Sequence, residues 1–183
     1  MLYCRRGQTF GLDQVEERMK LLVIRHGAAM DQEKFAESGE SDELRPLTPD
    51  GKREMKKIAK GIRKLVKKID VLATSPLVRA RQTAGIVADE MEMDDAEITD
   101  TLMPEAALED FEKWAGLYAH DNLLAIVGHE PHLSSLVTWL ISGKRESRIE
   151  LKKGGACLIA FEAEAKHDAG TLAWLLTPRQ LKK

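Results

Sequence analysis

Only two cysteines, Cys4 and Cys157, occur in the 183 residues. That is too few for the disulfide framework of a small secreted domain, so a reduced, cytoplasmic setting is expected. No cluster of cysteine and histidine has metal-ligand spacing. The five histidines (His26, His120, His129, His132 and His167) include one close pair, His129 and His132, with no obvious third ligand nearby. Neither a metal nor another cofactor is therefore expected. Charge of one sign is also missing: the formal net charge is -2, and nucleic-acid binding leans on an excess of Lys and Arg. The basic run KREMKKIAKGIRKLVKK is interleaved with apolar residues at helical spacing and reads as the solvated face of a helix. No long apolar run opens the chain. The stretch MLYCRRGQTFGLDQVEER holds neither a transmembrane span nor a good signal peptide, so no membrane partner is expected. Residues 1–18 are expected to be an extension outside the core, because MKLLVIRHG from Met19 would itself make a natural protein start.

What remains is an ordinary globular composition, 43% hydrophobic and 32% charged, in a chain long enough for one core and short for two. Without repeats, low-complexity tracts or a linker, residues 19–183 are expected to form a single domain. The apolar run KLLVI (20–24) reads as a buried strand ended by Gly27. Thr48 is placed as an N-cap with Pro49 at the first helical position, and Met55, Ile58, Ala59, Ile62, Leu65 and Val66 follow at helical spacing. A second strand, DVLAT (70–74), precedes a helix expected to start at Ser75 and Pro76, with Ala80, Thr83, Ala84, Val87, Ala88 and Met91 on its buried face. A weaker strand, EITDTLM, leads to a Pro-led helix in PEAALEDFEKWAGLY. NLLAIVG (122–128) is a strongly apolar strand running into the helix HEPHLSSLVTWLIS. GACLIAFEA and TLAWLLT follow with no helix between them and are expected to pair as a hairpin at a sheet edge. The alternation predicts a three-layer α/β/α sandwich with a mainly parallel central sheet and an antiparallel edge.

The polar residues fall where such sheets bind ligands, outside the carboxyl ends of the strands. Arg25 and His26 follow the first strand, Arg79 follows the second, and His129 follows NLLAIVG. Each alone reads as a surface arginine, a structural histidine or a turn. Together, two arginines and two histidines on one crevice would repel one another unless they shared an anion such as phosphate. The helix starts expected at SP and HEP would add free N–H groups to the same edge. There is no GxxxxGK[ST] loop and no paired-aspartate motif for Mg²⁺, so protein cations alone are expected to hold phosphate.

LLVIRHG, RPLTPDG, SPLVRARQTA, LMPE and IVGHEP, spread in order over Leu21 to Pro131, resemble the histidine phosphatase superfamily, also called phosphoglycerate mutase-like. The short length and RPLTPDG soon after RHG are similar to the SixA-type phosphohistidine phosphatases. The resemblance implies the phosphoglycerate mutase-like fold and a covalent mechanism. In it His26 attacks phosphorus through a neutral ring nitrogen, and water hydrolyses the phosphohistidine enzyme. Arg25, Arg79 and His129 would hold the phosphoryl oxygens, Gly27 would let backbone approach them, and Arg45 would be a further phosphate contact or simply a loop arginine. Glu105 is the candidate general acid, or else a first-turn carboxylate complementing a helix dipole. Glu130 departs from the family's frequent Asn after the second histidine, and Ala28 from its polar or acidic residue. The implied substrate is a phosphorylated protein, the phosphotransfer domain of a histidine kinase. A small phosphomonoester is the alternative within enzymes. A non-catalytic phosphoprotein-binding module is the alternative outside them, disfavoured because a binder needs no nucleophile.

Overall fold

The computed structural model describes residues 19–118 and 123–183. The expected extension over residues 1–18, His120, and Asn122 at the head of the expected strand lie outside the described residues. Six strands make one sheet in the order β3-β2-β4-β1-β5-β6: β1 (Lys20–Arg25), β2 (Val71–Thr74), β3 (Glu97–Ile98), β4 (Leu123–Gly128), β5 (Ala156–Ala160) and β6 (Thr171–Leu176). β1, β2, β3 and β4 are mutually parallel, while β5 runs antiparallel to β1 and β6 antiparallel to β5. The hairpin thus forms the edge expected of it, with β6 outermost.

Successive strand residues point to opposite faces, and β1 and β4 are apolar at every inner position because both faces are covered. Leu21 and Val23 join Leu124 and Ile126 in a cluster closed by Phe111, Trp114, Leu136 and Trp139. Those covering residues come from α4 (Leu108–Ala115) and α5 (His132–Ser142). On the other face Leu22, Ile24, Ala125 and Val127 pack with Met55, Ile58, Ala84 and Val87. Here the cover is α2 (Pro49–Leu65) and α3 (Val78–Met91), with Leu181 of the short α6 (Pro178–Leu181). The remaining helix, α1 (Gln32–Ala36), lies between β1 and α2 in the chain.

α2 begins as its sequence demands: Pro49 takes a first-turn position, and Thr48 Oγ1 accepts from Gly51 N at 2.9 Å. Its Lys52, Lys56, Lys57, Lys60 and Lys64 are exposed, and Leu65 is exposed as well, burial passing to Val66 where the helix ends. Three helix starts differ from expectation, and α5 begins at His132 behind Pro131 and not at His129. Ser75 and Pro76 precede α3, whose N-cap is Leu77 without a side-chain cap; the Ser75 hydroxyl accepts from Leu77 N at 3.4 Å, one position ahead of the helix, and also meets the site described below. Pro104 does not lead α4. It lies in a turn closed by Ala106 N donating to Met103 O at 3.1 Å, and the helix begins at Leu108. The third strand is cut to two residues, since Thr99 caps a 3₁₀ turn at Asp100–Leu102.

Candidate active site

Register brings three chain segments level. Arg25 pairs with Gly128 and Thr74 with Val127, so His26, Ser75 and His129 leave the sheet side by side. The seam is tied by His26 N donating to Gly128 O and Ser75 N donating to Val127 O, each at 3.1 Å. The rings of His26 and His129 lie 5.0 Å apart between centroids, tilted at 49°.

His26 is buried, 6% exposed, and its Nδ1 donates to the carbonyl of its neighbour Gly27 at 2.7 Å. A neutral imidazole has one N–H, so this bond places the proton on Nδ1 and leaves the lone pair on Nε2. Burial pushes its pKa down to about 4, partly opposed by the Gly27 hydrogen bond and reinforced by the charges of Arg79, Arg25 and Lys153. Burial, then the neighbouring His26, pushes His129 down to about 3. Both are neutral near pH 7. His129 Nε2 meets Ser75 Oγ at 2.8 Å, while its buried Nδ1 has no protein partner.

Arg25 is steered by the chain ahead of β5: its Nη1 donates to Leu151 O at 2.6 Å, and its Nε is buried without a partner. Gly154 N donates to the carbonyls of both Arg25 and His26, at 3.1 and 3.0 Å. Arg79, on the first turn of α3, is 6% exposed, and its Nε likewise lacks a partner. Burial pulls its guanidinium below the ordinary value, with Asp42 opposing and Arg45 assisting. Two guanidinium Nε groups and one imidazole Nδ1 are therefore buried and unspent around His26. Buried polar atoms in native proteins are normally paired; the two Nε–H groups can donate to a tetrahedral oxyanion, and His129 Nδ1 joins them in the tautomer in which Ser75 Oγ donates to Nε2.

Arg45 is 9% exposed and not a free loop arginine. Its Nε donates to Asp42 Oδ1 at 2.6 Å, and Arg79 Nη1 lies 3.2 Å from Asp42 Oδ2. The structure thus joins Arg45 to Arg79 through one carboxylate. Asp42 belongs to the acidic stretch after RHG that sequence reading passes over. Its signal is an Asp three residues before Arg45, behind the capping Ser41. Ser75, expected only to start a helix, is also the partner of His129.

One other expectation changes. Gly27 spends its N–H on Thr83 Oγ1 at 3.1 Å, leaving no backbone donor there for phosphate, and its carbonyl accepts from His26. The space a Cβ would fill there holds Met55 Cγ at 2.5 Å, so packing rather than oxyanion approach accounts for this glycine. Both carboxylate oxygens of Glu130 are engaged by protein groups. They accept from Leu151 N at 3.2 Å and from Ser134 Oγ at 2.5 Å, bracing the segment that holds Arg25. Glu105 is exposed in the turn before α4, on a surface cavity of about 620 Å³ shared with Asp100, Thr101, Met103, Ala106 and Asp110. Its charge bears on His132, which burial lowers and which Ala106 and Glu105 pull back up. Met103 links this cavity to the site, its sulfur 3.8 Å from Ser75 Oγ. Among the described residues, no group of three or more His, Cys, Asp or Glu side chains is disposed to hold a metal ion, and no helix is long and apolar enough to cross a membrane.

Comparison with known proteins agrees with this geometry. An uncharacterized protein of Picosynechococcus sp. is 34% identical over 139 residues, 75% of this chain and 82% of its own. Among solved structures, the protein histidine phosphatase SixA complexed with tungstate superposes with a TM-score of 0.75 at 24% identity, covering 89% of this chain and 99% of that one. The alpha-ribazole phosphatase from Shigella flexneri superposes with a TM-score of 0.68 at 20% identity, covering 87% and 97%. At those identities the likeness is one of fold, the phosphoglycerate mutase-like α/β sandwich. Residues 21–122 match the histidine phosphatase superfamily (branch 1), and the chain belongs to that family.

Proposed function

We propose that the protein is a metal-independent phosphatase that removes the phosphoryl group from phosphohistidine on a protein, the phosphotransfer domain of a histidine kinase. The observation that carries the chemistry is the His26 Nδ1 bond to Gly27 O, which bares Nε2 among the unspent groups of Arg25, Arg79 and His129. Nε2 forms a bond to phosphorus as the bond from phosphorus to the substrate nitrogen breaks, and that nitrogen takes the electron pair and then a proton. Water next attacks phosphorus, the bond to Nε2 breaks, and inorganic phosphate and neutral His26 are restored. The arginines and His129 meet charge on the phosphoryl oxygens, which is most of what such a transfer asks of a protein. Glu105 is the proposed proton donor for leaving groups that depart as strong bases.

A phosphohistidine substrate is supported by the fold shared with a protein histidine phosphatase and by the modest span between Arg79 and His129, whose described residues hold the rest of α3, β3, two 3₁₀ turns, α4 and β4. The fold shared with an alpha-ribazole phosphatase favours a small phosphomonoester as the second reading. The test is a paired assay of wild type and His26→Ala on a phosphorylated phosphotransfer domain and on an aryl phosphate, with EDTA present. Turnover by wild type in EDTA, a trapped phosphoenzyme and a loss of at least about 10³-fold in the variant are expected. Equal activity in the variant removes the covalent route, a metal requirement removes metal independence, and turnover of small esters alone promotes the second reading.

A further inference from the structure

We propose that Asp42 is a positioning residue of the oxyanion site, a carboxylate that fixes the Arg79 and Arg45 guanidinium groups so that their remaining N–H groups face one phosphoryl group. The inference rests on the phosphatase reading above. Asp42 opens the 3₁₀ turn Asp42–Leu44, which Ser41 caps. Three of its oxygens are committed. Oδ1 accepts from Arg45 Nε at 2.6 Å, Oδ2 lies 3.2 Å from Arg79 Nη1, and the backbone carbonyl accepts from that same Nη1 at 2.9 Å. Arg45 is held from a second side by Nη1 donating to Met30 O at 2.8 Å. A guanidinium is a rigid planar fork, so fixing one edge aims the other. At Arg79 the edge left over includes the buried, unpartnered Nε.

Charge supports the same role. The site holds Arg25, Arg45 and Arg79, whose like charges repel at close range in a buried setting. With His26 and His129 neutral at pH 7, Asp42 offsets part of the positive charge of the three arginines and of Lys153, which also acts on His26, and a net positive charge is left to meet a phosphoryl dianion. An alternative role would make Asp42 a stand-in for phosphate that substrate must displace. Such a stand-in would take the inward Nε edge of Arg79, whereas Asp42 doubles on Nη1 with its own backbone carbonyl and leaves Nε unspent.

The two roles predict opposite signs. In Asp42→Ala, with both arginines intact, tungstate inhibition of aryl phosphate hydrolysis should weaken about 10-fold and kcat/KM should fall about 30-fold, both as order-of-magnitude losses for misaimed charged hydrogen bonds. Asp42→Asn, which keeps an acceptor for Arg45 Nε, should recover part of both and serves alone if the alanine variant does not fold. Tighter tungstate binding in either variant overturns the proposal in favour of a displaced stand-in. Unchanged tungstate binding with a lowered thermal midpoint overturns it in favour of a role in stability only. Wild-type protein that binds no tungstate removes the phosphatase reading and this inference together, while wild-type binding with equal binding by the Asp42 variants removes this inference alone.

Discussion

A neutral imidazole attacks through the nitrogen whose lone pair is free, and the neighbouring carbonyl at Gly27 decides which nitrogen that is in His26. The proton transfer to the leaving group is decided elsewhere, since both oxygens of Glu130 are already engaged. Glu105 stands exposed beside the site, two residues from Met103, whose sulfur touches Ser75. An imidazole can leave phosphorus with little help, whereas an alkoxide needs a proton as it departs. Replacing Glu105 by Gln should therefore lower kcat about 100-fold on an alkyl phosphate, within the usual range for general acids, and less than about 5-fold on phosphohistidine. Steady-state rates on the two substrates check this, and equal loss on both would take the proton-donor role from Glu105.

At the level of elements, α2 fits closely against the segment after β1, two residues beyond His26. Thr48 N and Thr48 Oγ1 both donate to Ala28 O, at 3.0 and 3.3 Å, and Gly51 lies over the same carbonyl. A Cβ at Gly51 would sit 2.1 Å from it, so Gly51→Ala should cost about 1–3 kcal/mol, the usual range for overpacking. It should also lower activity, because Ala28 is two residues from His26. Gly85→Ala on α3 is the control: nothing lies within 4 Å of its added Cβ, so urea unfolding should show no loss and a gain of up to about 1 kcal/mol. Equal effects at the two glycines would show that α2 is not tightly seated. This packing was not legible in the sequence, because a glycine inside a helical pattern carries no sign of what approaches it. Strands were legible for the opposite reason, since burial on both faces writes them as unbroken apolar runs such as LLVI and LLAIV. Helix starts at Ser75 and Pro104 were misplaced because Ser and Pro serve turns as readily as caps.

For the whole molecule, three segments far apart in sequence meet at one sheet edge, and chain order alone was enough to foresee that Arg25, His26, Arg79 and His129 converge. The Asp42 link between Arg79 and Arg45 could not be foreseen, because it depends on how the loop of residues 37–47 folds back over α3. That convergence has a cost that can be measured. His26 and His129 titrate at about 4 and about 3 in the folded protein against 6.5 when free, and His132 is lowered as well. Between these values the unfolded chain binds more protons than the native one, so stability rises with pH and is lost as pH falls from about 6.5 toward 4. Asp42, lowered by its hydrogen bond to Arg45, has an ordinary value of 3.8, so its loss of stabilisation falls at more acidic pH and leaves this window to the histidines. Each fully depressed histidine contributes a slope of about 1.4 kcal/mol per pH unit. Urea unfolding followed from pH 7 to pH 4.5 should show a steep fall below pH 6.5, and His26→Asn should make that slope shallower by about one such contribution. Because the slope is compared and not the midpoint, a variant of lower overall stability still reports. A flat wild-type curve over this range would mean that the histidines are not held neutral by burial, and the charge balance drawn around the phosphoryl site would have to be redrawn.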